Sequence, residues 1–89
     1  MGRVLASFKI FPSDIEVKLG DLKKSIKQAI PENDSVHSFQ EEPIAFGLTA
    51  LIVNIILPED AEGEMDRVEE ILKKVENVGE IQVLMVRRI

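Results

Sequence analysis

The chain opens on alternation. Val4, Ala6, Phe8 and Ile10 interleave with Leu5, Ser7, Lys9 and Phe11, a period of two that predicts a strand ended by Pro12-Ser13-Asp14. From Leu19 the period lengthens. Leu19, Leu22, Ile26, Ala29 and Ile30 share one helical face, with Lys23, Lys24 and Lys27 on the opposite, solvated side, until Pro31 and Glu32-Asn33-Asp34 stop the helix. Val36 to Glu42 is a weaker, more polar strand that suits a sheet edge. Leu48 to Leu57 is almost continuously apolar, interrupted by Thr49 and Asn54, and predicts a central strand covered at least partly on both faces. Pro58-Glu59-Asp60-Ala61-Glu62-Gly63 is an acidic turn. Met65, Val68, Ile71, Leu72 and Val75 form a second helical stripe, with Glu64 and Asp66 near its positive N-terminal end, and Asn77-Val78-Gly79 closes it. Ile81, Val83 and Met85 then alternate with Gln82, Leu84 and Val86 in a last strand that ends at Arg87-Arg88.

Strand, helix, strand, strand, helix, strand is the split βαβ order. It predicts an α+β, ferredoxin-like βαββαβ sandwich: a four-stranded antiparallel sheet with two helices on one face. Residues 1–89 are expected to form a single domain. The other sheet face has no covering element in this chain, which leaves apolar residues of the central strand available to a partner.

Composition narrows the function. An 89-residue chain buries only about 60–65% of the surface its unfolded form exposes, so it supports one core and no deep lidded cleft. Cysteine is absent, which removes disulfides, zinc fingers and thiol catalysis. A formal net charge of −5 is opposite to that of a typical nucleic-acid reader; Lys18, Lys23, Lys24 and Lys27 make only a modest cluster. The N-terminal apolar run is broken by Lys9 and reaches Pro12, too short to span a bilayer, and Ala6 stands where a myristoylation signal needs a hydroxyl. The expectation is a cytoplasmic domain with no membrane, nucleic-acid or small-molecule partner and no cofactor or metal.

Between the second and third strands lies Glu42-Pro43-Ile44-Ala45-Phe46-Gly47-Leu48. Pro43 fixes its own φ and holds Glu42 extended, while Gly47 is free to take a positive φ. Phe46 therefore sits on a stiff, narrow connection. Such a ring is poorly placed to reach its own core and well placed to enter a partner's pocket. The bland reading is a tight loop whose ring folds back under the domain.

This Pro-aliphatic-small-aromatic-Gly-aliphatic segment, with the chain end Val86-Arg87-Arg88-Ile89, resembles the guanine-nucleotide exchange domain of translation elongation factor one-beta, especially its short archaeal form. The resemblance covers essentially the whole chain. It implies nucleotide exchange without covalent chemistry on the elongation factor one-alpha GTPase, which delivers aminoacyl-tRNA to the ribosome. In that family the loop matched by Pro43, Ile44, Ala45, Phe46, Gly47 and Leu48 contacts the GTPase. Eukaryotic members follow it with lysines, where this chain has Thr49 and Ala50, so those charge contacts do not carry over. Their second-last residue is a lysine that reaches the magnesium and phosphate region. Arg88 holds that position here, with Arg87 as the alternate carrier and Ile89 as an anchor, although a planar guanidinium is not a compact ammonium. The implied mechanism has ring and guanidinium projecting from neighbouring spots, so that the aromatic wedges beside the inserted cation.

Other chemistry is weakly represented. The acidic turn lacks the alternating ligands, glycine and distal Glu of an EF-hand. Glu41 and Glu42 are adjacent on a strand and point to opposite faces, which does not suit paired-carboxylate hydrolysis. His37 has no nucleophile motif nearby and reads as a strand-edge surface residue. Asn54 would suit an acylphosphatase, which has this fold, but Pro12-Ser13-Asp14-Ile15-Glu16 supplies no arginine-bearing phosphate loop. The competing functional class is a regulatory or ligand-sensing domain that dimerises through its open sheet face. RNA binding on that face ranks below both, since the chain is only 4% aromatic and lacks RNP signatures.

Overall fold

A computed structural model describes residues 2–31, 34–58 and 63–89. Strand β1 (Arg3–Pro12) is followed by helix α1 (Leu19–Ala29), strands β2 (Ser35–Pro43) and β3 (Thr49–Pro58), helix α2 (Glu64–Lys74) and strand β4 (Val78–Arg88). The sheet order is β2-β3-β1-β4 with every neighbouring pair antiparallel. This is the ferredoxin-like arrangement that the element order predicts. The acidic residues Glu59, Asp60 and Glu62, and Glu32-Asn33 in the first helix stop, lie outside the described residues.

The core forms where the alternation of β1 and β3 meets the helical stripes. Ala6, Phe8 and Ile10 from β1 and Leu51, Val53, Ile55 and Leu57 from β3 pack against Leu22 and Ile26 of α1 and Val68 and Leu72 of α2. Side chains of one strand alternate between faces, so the remaining residues of β1 and β3 point the other way. There Ser7 donates to Asn54 Oδ1, and Asn54 Nδ2 donates to Ser38 Oγ at 2.9 Å, linking three strands. Asn54 interrupts the apolar run of β3 because it is the middle of this polar bridge.

Three expectations shift. Lys23 and Lys27 are not purely solvated. Each sits over the Phe39 ring, at 5.9 and 5.8 Å from its centroid, and Lys23 Nζ reaches Glu41 Oε2 at 3.0 Å. The long stems cover an apolar edge while the ammonium groups stay wet. Secondly, β4 begins at Val78 and so includes Gly79, which the sequence places in the turn. A Cβ at Gly79 would lie 3.1 Å from the Phe11 carbonyl oxygen and 3.2 Å from Ser13 Cα, so this glycine permits β4 to approach β1. The left-handed turn residue is instead Asn77, with φ 72°. Thirdly, the simple alternation of β4 breaks. Opposite Ser7 is Met85 but opposite Phe8 is Val83, so Leu84 is an extra, bulged residue. Ile81 and Val83 therefore share the helix side, whereas Met85 faces the open side with Ser7.

Glu64, expected as a charge at the helix start, is buried against Asp34 just before β2. As carboxylates, both oxygens of Asp34 and Oε2 of Glu64 have no hydrogen-bond partner among the described residues. Burial first, then the hydrogen bonding and charge of Glu64, push the Asp34 carboxyl up to about 7, against a smaller opposing effect of Arg67. A proton on Asp34 supplies the donor that two carboxylates lack. The folded state then holds this proton more tightly than the unfolded chain, where the ordinary value is 3.8. Stability is accordingly fullest below about pH 4 for this group and falls as the pH rises towards 7, by at most about 1.4 kcal/mol per pH unit. Urea titrations at pH 4.5 and 7.5 are expected to show this decline in the parent and a flatter profile in Asp34→Asn.

Candidate functional site

Backbone geometry explains why Phe46 stands out. After the last β2–β3 pair, Pro43 with Thr49, the Ile44 N–H donates to the Leu48 carbonyl at 2.8 Å and the Leu48 N–H to the Ala45 carbonyl at 3.2 Å. Three residues must reverse the chain inside this clamp. Phe46 and Gly47 do so in the left-handed region, at φ 59° and 77°. Glycine adopts that conformation freely, but a phenylalanine does so at a cost of about 1–2 kcal/mol. The ring gains no compensating burial, being 94% exposed. It does not fold back under the domain. A strained backbone that presents an apolar ring to solvent is a feature associated with ligand and partner contacts.

Pro43, Ala45 and Gly47 are exposed around the ring, and Ile44 is half-buried. The base of the turn leans on the connection after β1: Gly47, Leu48 and Thr49 share a small cavity of about 90 Å³ with Pro12, Ile15, Val17 and Leu19. Ile15 is itself 64% exposed, so a second large apolar side chain flanks this end of the molecule. Sequence reasoning passed over Ile15. Its only signal is an isoleucine in an otherwise polar connection, Ser13-Asp14-Ile15-Glu16.

The arginine end lies elsewhere. Arg88 pairs with Val4, and the Ile89 N–H donates to the Arg3 carbonyl at 3.0 Å, beside the pair Arg3 and Pro58. The turn joins the opposite end of β3, at Thr49. Along β3 from Thr49 to Pro58 the rise of about 3.3 Å per residue separates the two features by roughly 30 Å, within a molecule whose longest dimension is 42 Å. The expectation that ring and guanidinium project from neighbouring spots is therefore corrected. Antiparallel pairing of β4 with β1 returns the chain end to the start of β1, whereas the β2–β3 turn sits beyond the end of β1. Arg87 and Arg88 also diverge: Arg87 is opposite Leu5 on the open side, and Arg88 opposite Val4 on the helix side. Both are exposed.

Between the two ends runs the open sheet face. A shallow groove of about 390 Å³ crosses all four strands, lined by Leu5, Ile52, Leu84 and Met85 around the Ser7–Asn54–Ser38 bridge. His37 is exposed at its rim with Nδ1 3.3 Å from Ser38 Oγ. Glu42 and Glu41 do point apart, Glu42 to Lys9 at 3.0 Å and Glu41 to Lys23 at the same distance. A groove of similar size, lined by Ser25, Gln28, Ile71 and Lys74 among others, lies between the helices, on the other side of the sheet from the open face. Among the described residues no group of three or more His, Cys, Asp or Glu side chains could hold a metal ion. No described helix is long and apolar enough to cross a membrane.

A model of the EF-1 guanine nucleotide exchange domain matches residues 5–89. The chain belongs to that family. Its work is nucleotide exchange in translation elongation. Proteins named Elongation factor 1-beta are similar over their whole length: the one from Methanothermobacter thermautotrophicus is 46% identical over 89 residues, covering 100% of this chain and 99% of the relative. The Methanosarcina acetivorans protein is 48% identical over 90 residues, with 100% of both covered. Two solved structures share the fold alone. The C-terminal domain of the MgtC protein from Mycobacterium tuberculosis superposes with TM-score 0.61 at 10% identity, over 94% of this chain and 86% of that one. The ACT domain of a GTP pyrophosphokinase from Chlorobium tepidum does so with TM-score 0.60 at 18% identity, over 90% and 96%.

The turn makes a stability prediction. Phe46→Asn, which suits the left-handed region and gives up almost no burial, is expected to stabilise the exchange domain by about 0.5–1 kcal/mol in urea denaturation. Gly47→Val is expected to destabilise it by about 1–2 kcal/mol.

Proposed function

We propose that this single exchange domain, residues 1–89, is a cytoplasmic exchange factor for the elongation factor one-alpha GTPase and engages it at two separate points. The supporting observation is the exposed, left-handed Phe46, which the domain holds outward against its own backbone preference. Pro43, Ile44, Ala45, Phe46 and Gly47 form one contact; Arg87, Arg88 and Ile89 form the other. A nucleotide site is held by magnesium and by backbone dipoles around the phosphates. A guanidinium brought to that region competes electrostatically with the metal and favours a phosphate-loop arrangement that no longer grips GDP. No bond is made or broken, so the acceleration is a population shift towards the nucleotide-free GTPase.

Because roughly 30 Å separates the two contacts, the ring cannot wedge beside the magnesium. Its role is to anchor the domain on a distinct surface of the GTPase. Anchoring orients the rigid sheet so that the arginine end reaches the nucleotide. Binding energy gathered at the ring is thereby used at the tail.

The competing class, a sensing domain that dimerises through the open sheet face, is disfavoured by the polar Ser7–Asn54–Ser38 bridge at the centre of that face. A dry dimer core places apolar groups there.

Release of a fluorescent GDP from the cognate GTPase tests the reading. Phe46→Ala is expected to lower exchange efficiency by roughly 30- to 1000-fold, the range of an interface hot spot of about 2–4 kcal/mol, with the fold intact. Removal of Arg88-Ile89 is expected to slow GDP release more than it weakens complex formation, and Arg88→Lys to retain part of the rate. Equal rates for the parent, Phe46→Ala and the protein lacking Arg88-Ile89 would rule out these residue roles.

A further inference from the structure

Two tips make a small interface. The turn contact Pro43–Gly47 and the tail Arg87–Ile89 together comprise eight residues, whereas a specific complex covers about 800 Å² and about 20–30 residues on each partner. The exposed large apolar side chains of the described residues show where the remainder lies. They are Ile15 and Phe46 at the turn end, then Val83, Leu84, Met85, Val86 and Ile89 along the last strand. Val83 to Val86 are between 42% and 48% exposed, four consecutive apolar residues on a strand that is an edge of the sheet.

The bulge at Leu84 decides how that run is displayed. Val83 and Val86, opposite Phe8 and Ala6, lie on the helix side of the edge; Met85, opposite Ser7, lies on the open side, and Leu84 joins it in lining the open-face groove. Both sides of one edge are thus apolar over the same short stretch. A partner resting on the open face alone would leave Val83 and Val86 wet. The outward N–H and C=O groups of an edge strand are also unpaired within the sheet and available to a partner's main chain. The run leads directly into Arg87-Arg88-Ile89, so a body that receives the tail meets these four residues next.

We infer that the bulged edge of β4, Val83-Leu84-Met85-Val86, is a third contact with the GTPase, which straddles the edge of the sheet and covers both of its sides. This rests on the two-point reading above and supplies the apolar area that the two points lack. The strand edge becomes the rail that carries the tail to the nucleotide, while the turn anchors the far end.

Hydrogen–deuterium exchange of the unaltered protein, with and without the nucleotide-free GTPase, tests it directly. Amides of residues 83–86 are expected to gain protection in the complex. In parallel, Leu84→Gln with Met85→Gln is expected to reduce exchange efficiency about tenfold or more with an unchanged thermal midpoint, since these side chains are already half-exposed. Unprotected amides together with parent-like activity of the double variant would overturn the inference and leave the two-point reading standing. Light scattering identifies the other occupant: a concentration-dependent dimer abolished by the double variant would assign the edge to a second copy and overturn the inference as well. A parent protein that does not accelerate GDP release would instead remove the exchange reading itself, and this contact with it.

Discussion

Strand β1 is hydrogen-bonded along both edges, to β3 through pairs running from Arg3–Pro58 to Ile10–Leu51 and to β4 from Val4–Arg88 to Pro12–Val78. Both neighbours run antiparallel to it. The placement of the candidate site follows from this double pairing. The β2–β3 turn must emerge where β1 ends, and the chain terminus must return to where β1 begins. Ala6, Phe8 and Ile10 lock the register from the helix side, because a slip of one residue would turn all three into solvent. The sheet therefore holds the exposed turn and the arginine end roughly 30 Å apart.

Rigidity gives this separation its use. An exchange factor does no chemistry; it contributes interactions that are stronger with one state of its partner than with another. Under the proposed two-point reading, a ring at one end and a cation at the other convert affinity into orientation, because the paired strands fix the distance between them. The strain at Phe46 belongs to the same logic. A ring free to fold back would find apolar neighbours such as Ile15, and the left-handed backbone within the Ile44–Leu48 clamp keeps it outward instead.

Irregularities in the sheet carry much of the remaining information. Leu84 adds one residue to β4, and a similar register shift at His37 interrupts β2. Bulges re-aim side chains and blunt edges. In β4 the result is an apolar edge on two sides rather than one. Gly79 marks the opposite situation, a place where a Cβ would press on the backbone of Phe11, Pro12 and Ser13. The buried pair of Asp34 and Glu64 shows that polar residues outside the apolar pattern also shape the molecule, here by tying a carboxyl's proton to the folded state.

Local patterning was sufficient for the elements, the fold class and the core faces. Periods of two and 3.6 residues decide which side chains can be buried together, and Leu22, Ile26, Val68 and Leu72 are buried as those periods require. The stiffness of the turn was likewise legible in Pro43 and Gly47, but the outward ring was not: the residues alone also suit a ring folded back under the domain, and the left-handed backbone at Phe46 itself decides the matter. Nor was long-range register. Nothing local reports that Arg88 lies beside Val4, that Leu84 is an extra residue, or that Asp34 meets Glu64, because these depend on pairing between segments far apart in the chain. The separation of ring from guanidinium was decided only when antiparallel strands closed into a sheet.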